Sequence, residues 1–190
     1  MVSVFDIWLP ILLSAVFVFI ASSVLHMLLP WHRSDHKKLP GEDAIRDAIR
    51  AQNPPTGLYF FPRASSMKDM STPEMQEKFK EGPVGHVTIM ADGPPTMGKS
   101  LMLWFLFSVV ISVFAGYVTG MFNAAGAEYA PVQRAAGTIA ILGYCAPALM
   151  DAVWKAQPWG VTFKHLIDGV IYALLTAGTF GWLWPGAPGA

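Results

Sequence analysis

Long apolar segments dominate the hydrophobic pattern of this 190-residue chain. A helix needs about 20 residues to cross a hydrocarbon core about 30 Å thick. Four segments are long and apolar enough, at approximately residues 5–29, 101–122, 135–154 and 166–185. The third is rich in Ala and Gly and contains Pro147, which favours a kinked helix. The pattern predicts the membrane all-α class, with a four-transmembrane-helix bundle.

The residues between the first two apolar segments follow a different pattern, with shorter apolar repeats and many charges. Helical and alternating spacings there predict a small α/β insert of two helices and two strands, and we expect the strands to pair. The elements fall at residues 42–51, 57–61, 73–81 and 84–91, with Thr72 as the N-cap of the second helix. The chain thus divides into a first helix at 1–30, the insert at 31–99, and three further helices within 100–187.

The position of the charged residues predicts the orientation of the helices. Charged residues make up 14% of the chain, against roughly 25% in soluble domains. Residues 31–99 hold ten of the 13 Lys and Arg residues, and cytoplasmic loops retain such residues. We therefore expect a cytoplasmic insert with both termini outside, in a membrane such as the bacterial inner membrane. We do not interpret residues 1–30 as a signal peptide. No Lys or Arg precedes the apolar run, and the run is too long for the apolar region of a signal peptide.

The composition excludes several classes of function. The net charge is zero, so nucleic acid is not an expected partner. A lone cysteine, Cys145, cannot form an intramolecular disulfide or a four-cysteine metal site. Motifs for a serine or cysteine nucleophile and the HExxH zinc motif are missing, so no catalytic residue is assigned and enzymatic activity is not expected.

Residues 93–100 match the spacing of a nucleotide-binding P-loop, with Lys99 and Ser100 at its end. We interpret the match as a coincidence. The helix that follows is a predicted membrane span, a P-loop needs a multi-stranded parallel sheet, and two prolines remove two N–H donors. In our interpretation Lys99 is a cytoplasmic-side anchor and Ser100 the N-cap of the second span.

Small residues at four-residue spacing occur in the second and fourth spans, and they predict close helix packing or an oligomer. Without a hydrophobic force between helices in lipid, such residues mark where backbones meet. The predicted packing residues are Ser108, Ser112, Gly116 and Gly120 in one span and Gly169, Ala173, Ala177 and Gly181 in the other.

Ionisable residues gather near the cytoplasmic ends of the spans and form the candidate site. The cluster consists of His26, Asp151, Lys155, Lys164, His165 and Asp168. One interpretation is an interfacial clasp, in which Asp151 pairs with Lys155 and Asp168 neutralises Lys164. The other is a polar mouth for a proton, an ion or a small solute.

Histidine ligands are a further possibility in the same region. His32 and His36 would share a helix face if the first span continued beyond Pro30. His26 and His165 could form an axial pair for a haem, since both lie near the cytoplasmic leaflet. Neither pattern is specific, so no metal or cofactor is assigned to the chain by its sequence.

The sequence as a whole favours a non-enzymatic integral membrane protein. It would assemble with itself, or serve as an accessory subunit of a larger membrane complex, with the lipid bilayer as its other partner. Translocation of an ion, a proton or a small solute through the polar cluster is the alternative. A haem- or metal-binding membrane subunit is the second alternative.

A reporter fused after Ala190 tests the predicted topology. An even number of spans places the C-terminus outside, so the reporter should be located on the non-cytoplasmic side of the membrane. A cytoplasmic location of the reporter would contradict the arrangement.

Overall fold

The computed structural model describes residues 2–186, which form seven α-helices and two β-strands. In chain order these are α1 (Trp8–Ser23), α2 (Glu42–Gln52), β1 (Gly57–Phe61), α3 (Met67–Met70), α4 (Pro73–Glu81), β2 (Gly85–Ile89), α5 (Met97–Phe122), α6 (Tyr129–Lys155) and α7 (Trp159–Trp182). They belong to two compact units. One contains the chain up to His36 and from Thr96 onward, and the other is Lys37–Pro95.

Three helical segments are long and apolar enough to cross a membrane: Val4–Leu28, Met97–Phe122 and Tyr129–Lys155. This finding supports a membrane protein. The fourth expected span corresponds to α7, which begins earlier than expected and carries Lys164 and Asp168 in its first half. It is not among the three, so the fourth span stays a prediction.

The first of these segments is built from three kinds of helical turn. A 3₁₀ turn at Val4–Ile7 leads into α1, and a wider π turn at Val24–Leu28 follows it. Ser3 and Asp6 cap the start, because the Ser3 hydroxyl accepts from the backbone while Asp6 accepts from the Ser3 N–H at 3.1 Å. The only acidic side chain of the segment is therefore engaged at its end.

Helices α1, α5, α6 and α7 form a four-helix bundle in which α1 and α6 each pack against both α5 and α7. All eight small residues of the two predicted packing ladders are buried within this single chain. Helices α6 and α7 approach closely at Gly169, where an added Cβ would lie 2.6 Å from Cys145 Sγ and 3.2 Å from the Tyr144 carbonyl. Glycine is needed there because α6 and α7 meet nearly backbone to backbone.

The Lys37–Pro95 unit contains the predicted helices and strands. β1 and β2 pair antiparallel, with Gly57 opposite Ile89, which confirms the expected pairing. Thr72 caps α4 by accepting from the Met75 N–H. The one-turn helix α3 was not predicted, because four residues are too few to show a periodic pattern.

The P-loop-like segment lacks the structural context of a nucleotide site. Within residues 2–186 the only sheet is the two-stranded antiparallel one, whereas a P-loop requires a parallel sheet. The prediction that Ser100 caps the second span is wrong. Helix α5 begins at Met97, so Ser100 lies inside its first turn.

The substitution Gly169→Ala tests the close approach of α6 and α7. A methyl group there would overlap Cys145 and the α6 backbone, so we expect the free energy of unfolding to fall by about 1–3 kcal/mol. Gly178→Ala on the same helix is the matched control. Its added Cβ would lie 3.6 Å from the nearest atom, an ordinary contact. Thermal unfolding of the detergent-solubilised protein should show a lower Tm only for Gly169→Ala, and equal Tm values would contradict the packing.

Candidate metal centre at one end of the helix bundle

The end of the first helical segment folds the chain back on itself because of a proline. Leu29 precedes Pro30 and is extended, as steric contact with a proline ring disfavours helix at that position. Pro30–His32 then forms a 3₁₀ turn. This turn brings the His32 ring against the His26 ring, with centroids 4.0 Å apart and planes nearly parallel.

Helix α7 supplies the other half of the site. His165 and Asp168 are three residues apart and lie on one face of the helix. Asp168 Oδ2 lies 2.9 Å from His32 Nε2, 3.9 Å from His165 Nδ1 and 4.0 Å from His26 Nε2. We call these four residues the His–Asp cluster.

The cluster has the composition and spacing of a metal site. One nitrogen from each histidine and one Asp168 oxygen all lie within 4.8 Å of one another. Two ligands held about 2.0–2.1 Å from a tetrahedral ion are about 3.3 Å apart. The His32–Asp168 pair is already near that spacing, while His165 and His26 lie 3.9 and 4.0 Å from the Asp168 oxygen. The His26 ring is stacked on the His32 ring, so it would have to turn for its nitrogen to face the same ion.

Asp168 is deeply buried, with only 2% of its side chain exposed. Among the described residues, neither of its carboxylate oxygens has a hydrogen-bond partner, and the same is true of His32 Nε2. The 2.9 Å between Asp168 and His32 is thus a close contact without hydrogen-bond geometry. A buried carboxylate in an apolar bundle is either protonated or compensated by positive charge, and a bound cation would supply that charge.

A second carboxylate orients His32 from the opposite side of its ring. Asp35 Oδ2 lies 2.5 Å from His32 Nδ1, and only 5% of the Asp35 side chain is exposed. An ionised carboxylate only accepts hydrogen bonds, so the proton of this contact belongs to Nδ1. In the neutral ring, Nε2 then carries the lone pair that faces Asp168. One nitrogen of the His32 ring thus contacts a carboxylate, and the other nitrogen is free to bind an ion. Metal-binding histidines are commonly arranged in this way.

Lys164 holds this second carboxylate in place. Its ammonium group donates to Asp35 Oδ1 at 2.5 Å and to the Trp31 carbonyl and the Ser34 hydroxyl, both at 2.9 Å. Burial raises the pKa of the Asp35 carboxyl, but the hydrogen bonds and charges of Lys164 and His32 outweigh burial and hold the pKa below its ordinary value. Asp35 is therefore ionised at neutral pH.

The structure brings together some residues of the predicted polar cluster and separates others. His26, His165 and Asp168 meet directly, and Asp151 pairs with Lys155 at 2.7 Å as predicted. The predicted pairing of Asp168 with Lys164 is wrong. Three imidazoles surround Asp168, and the long Lys164 side chain reaches Asp35 instead.

Two residues of the site have roles that differ from the sequence-based expectation or lie outside it. A continuous helix would pair His32 with His36, but the helix ends at Leu28 and His36 is outside the cluster. Asp35 is not among the residues that the sequence pattern indicates. The available signal was the proline at position 30, which predicts a turn that returns residues 31–35 toward the bundle.

The geometry favours a single ion over a haem between His26 and His165. The His32 ring lies 4.0 Å from the His26 ring and 5.3 Å from the His165 ring. A porphyrin held between the other two rings would have to occupy the space that His32 fills. The cluster is suited to a bare cation with up to four protein ligands.

No family model matches this chain, and no curated protein and no solved structure is similar enough to count as a match. The class defined by the structure is that of a mostly helical protein with three helices able to span a membrane. The geometry of the cluster is therefore the main indication of function.

Replacement of Lys164 tests its role in holding residues 31–35. Lys164→Met removes three hydrogen bonds from the ammonium group, and bonds to charged groups contribute about 1.5–3 kcal/mol each. We expect amide hydrogen exchange at Arg33 and Asp35 to become faster by roughly tenfold or more. The control is Lys155→Met, which breaks only the exposed pair with Asp151. Unchanged exchange in Lys164→Met would contradict this role.

Proposed function

We propose that this chain is an integral membrane protein that binds one divalent transition-metal ion at the His–Asp cluster. The supporting observation is the convergence of three imidazole nitrogens on a buried carboxylate oxygen, all within 4.8 Å. Ionisable residues buried in a bundle of membrane helices are costly unless they are compensated. A bound cation would compensate Asp168 and satisfy the nitrogen lone pairs together.

The donor set indicates the chemical class of the ion. Imidazole nitrogen and carboxylate oxygen suit Zn²⁺, Fe²⁺, Mn²⁺, Co²⁺ and Ni²⁺, whereas Cu⁺ prefers sulfur ligands. The chain's single cysteine, Cys145, is not a member of the cluster. Zn²⁺ has the best match in ligand type and number, because it takes four N or O ligands in a tetrahedral arrangement.

The second carboxylate strengthens the proposal. A metal-binding histidine usually donates its other N–H to a carboxylate or carbonyl, which fixes the ring and raises its basicity. Asp35 makes such a contact with His32, and Lys164 fixes Asp35. A histidine pair formed by chance on a protein surface would not have this support.

In the proposed topology, α1, α5, α6 and α7 all cross the membrane, both termini are outside, and residues 31–99 are cytoplasmic. The distribution of Lys and Arg supports this orientation. The His–Asp cluster would then lie near the cytoplasmic surface of the inner membrane, where cytoplasmic metal ions can reach it.

Translocation of a proton or an ion is the second candidate. A buried row of hydroxyls supports it, since Ser14 donates to Ser112 at 2.9 Å in the interior of the bundle. However, Ser108, Ser112 and Thr176 each donate to a carbonyl of their own helix, as membrane helices commonly arrange these residues. This local bonding favours a packing role for the row and places translocation second.

Assembly with a second copy or with other membrane subunits stays a prediction. The small-residue ladders that suggested it are buried inside one chain. An interface with a partner would therefore use the lipid-facing sides of the helices.

Metal content of the purified protein tests the proposal. After incubation with Zn²⁺ or Co²⁺ and removal of excess ion, we expect about one ion per chain by elemental analysis. His32→Ala and Asp168→Asn each remove one ligand, and loss of a zinc ligand or its support weakens binding by about 10–100-fold or more. The retained ion should therefore fall to a small fraction of the wild-type value.

His36→Ala and His86→Ala are matched controls, since both remove a histidine outside the cluster. Both should retain the ion. Equal metal content in His32→Ala, Asp168→Asn and the controls would contradict binding at the cluster, and a wild-type protein without a bound ion would contradict the function.

A further inference from the structure

A cavity of about 490 Å³ opens directly beside the His–Asp cluster. It lies within the bundle, and α1, α5, α6 and α7 all contribute to its wall, as does the π turn after α1. Pockets of about 300–1,000 Å³ are typical of small-molecule sites. The cavity is therefore large enough for a small organic ligand next to the proposed metal.

The cavity wall combines the polar residues of the cluster with a larger apolar part, and its further polar residues include Ser22, Ser23, Ser100, Asp151 and Gln157. His26, His165 and Asp168 belong both to the cavity wall and to the cluster. Away from the cluster, the wall is formed largely by apolar and aromatic side chains such as Leu101, Trp104 and Ala148. A ligand that fits this division has a polar head and an apolar body.

The net charge of the proposed metal site indicates whether the polar head of the ligand is an anion or a cation. A divalent ion bound by three neutral imidazoles and one carboxylate retains one positive charge, which attracts an anion in a medium of low dielectric. Asp151 also lines the cavity, but Lys155 neutralises it at 2.7 Å. Tyr172 lines the wall as well, and within the described part of the chain its hydroxyl has no hydrogen-bond partner. An oxygen acceptor on the ligand would suit the metal.

The side chains of His26 and His165 are 40% and 37% exposed, in contrast to 9% for His32. The metal would thus be accessible on the side of His26 and His165, which is also the side that lines the cavity. Zinc can extend its coordination from four to five ligands, so an additional oxygen ligand can bind there.

We propose that the cavity binds a lipophilic carboxylate, with the carboxylate coordinated to the metal of the His–Asp cluster and the alkyl chain against the apolar wall. This inference rests on the proposed metal function. It assigns to the same site a substrate or ligand class, namely a fatty acid or a similar amphiphile.

The test uses the full-length protein loaded with Co²⁺ in a non-ionic detergent, titrated with sodium octanoate and sodium acetate. Coordination of a carboxylate changes the visible spectrum of Co²⁺, so the titration gives an apparent Kd for each anion. We expect octanoate to bind at least about tenfold more tightly than acetate, because only octanoate buries an alkyl chain. Equal affinities in the wild-type protein would overturn the proposal.

Cavity-filling variants locate the alkyl chain. Ala148→Phe should abolish the preference for octanoate while the protein retains one Co²⁺, and Leu101→Trp repeats the test from another helix. Ala146→Phe is the matched control, because it is the same substitution on an exposed position of α6 outside the cavity. If Ala148→Phe and Leu101→Trp keep Co²⁺ and also keep the preference, the proposal is wrong.

The Co²⁺ content of each sample is measured separately. It distinguishes a failure of the proposed metal binding from a failure of the proposed carboxylate binding. A wild-type protein without Co²⁺ would overturn the proposed function and this inference with it. A wild-type protein with Co²⁺ but without a preference for octanoate would overturn this inference alone.

Discussion

A carboxylate buried among membrane-type helices is the constraint on which the candidate site depends. With 2% of its side chain exposed, Asp168 has lost the water that would stabilise its charge. The charge must therefore be removed by a bound proton, or compensated by the protein or by a bound cation. Three imidazoles surround it, and two of them come from the opposite end of the chain. The turn at Pro30 and the contacts of Lys164 both serve to place one of these imidazoles, His32.

The packing of the bundle explains why Asp168 is inside. Its neighbour Gly169 lets α7 approach the backbone of α6, so the face that carries both residues is turned inward. Larger side chains at Gly169 would hold the helices apart and open the site to lipid or water. The small residue Gly169 thus permits the close helix packing that buries Asp168.

Much of the fold could be predicted because it depends on local pattern. The apolar lengths of α1, α5 and α6, the capping of α4 by Thr72 and the strands of the insert all follow from neighbouring residues. The grouping of His26, His165 and Asp168 followed from their similar depth. The roles of His32 and Asp35 could not be predicted in this way. They depend on the angle at which the chain leaves α1 and on a lysine that is distant in sequence, and neither leaves a periodic signal.

The four residues of the cluster are far apart in the sequence, and this has a consequence for biosynthesis. His26 and His32 are synthesised before His165 and Asp168, which belong to α7. The four side chains can meet only after α7 has been synthesised and packed beside α1. Metal binding would then stabilise only a bundle in which α7 is present. A chain interrupted before α7 would lack Asp168, which completes the cluster with His26 and His32. Metal binding at the cluster would thereby link α1 to α7, and it would distinguish molecules in which these two helices have packed together from those in which they have not.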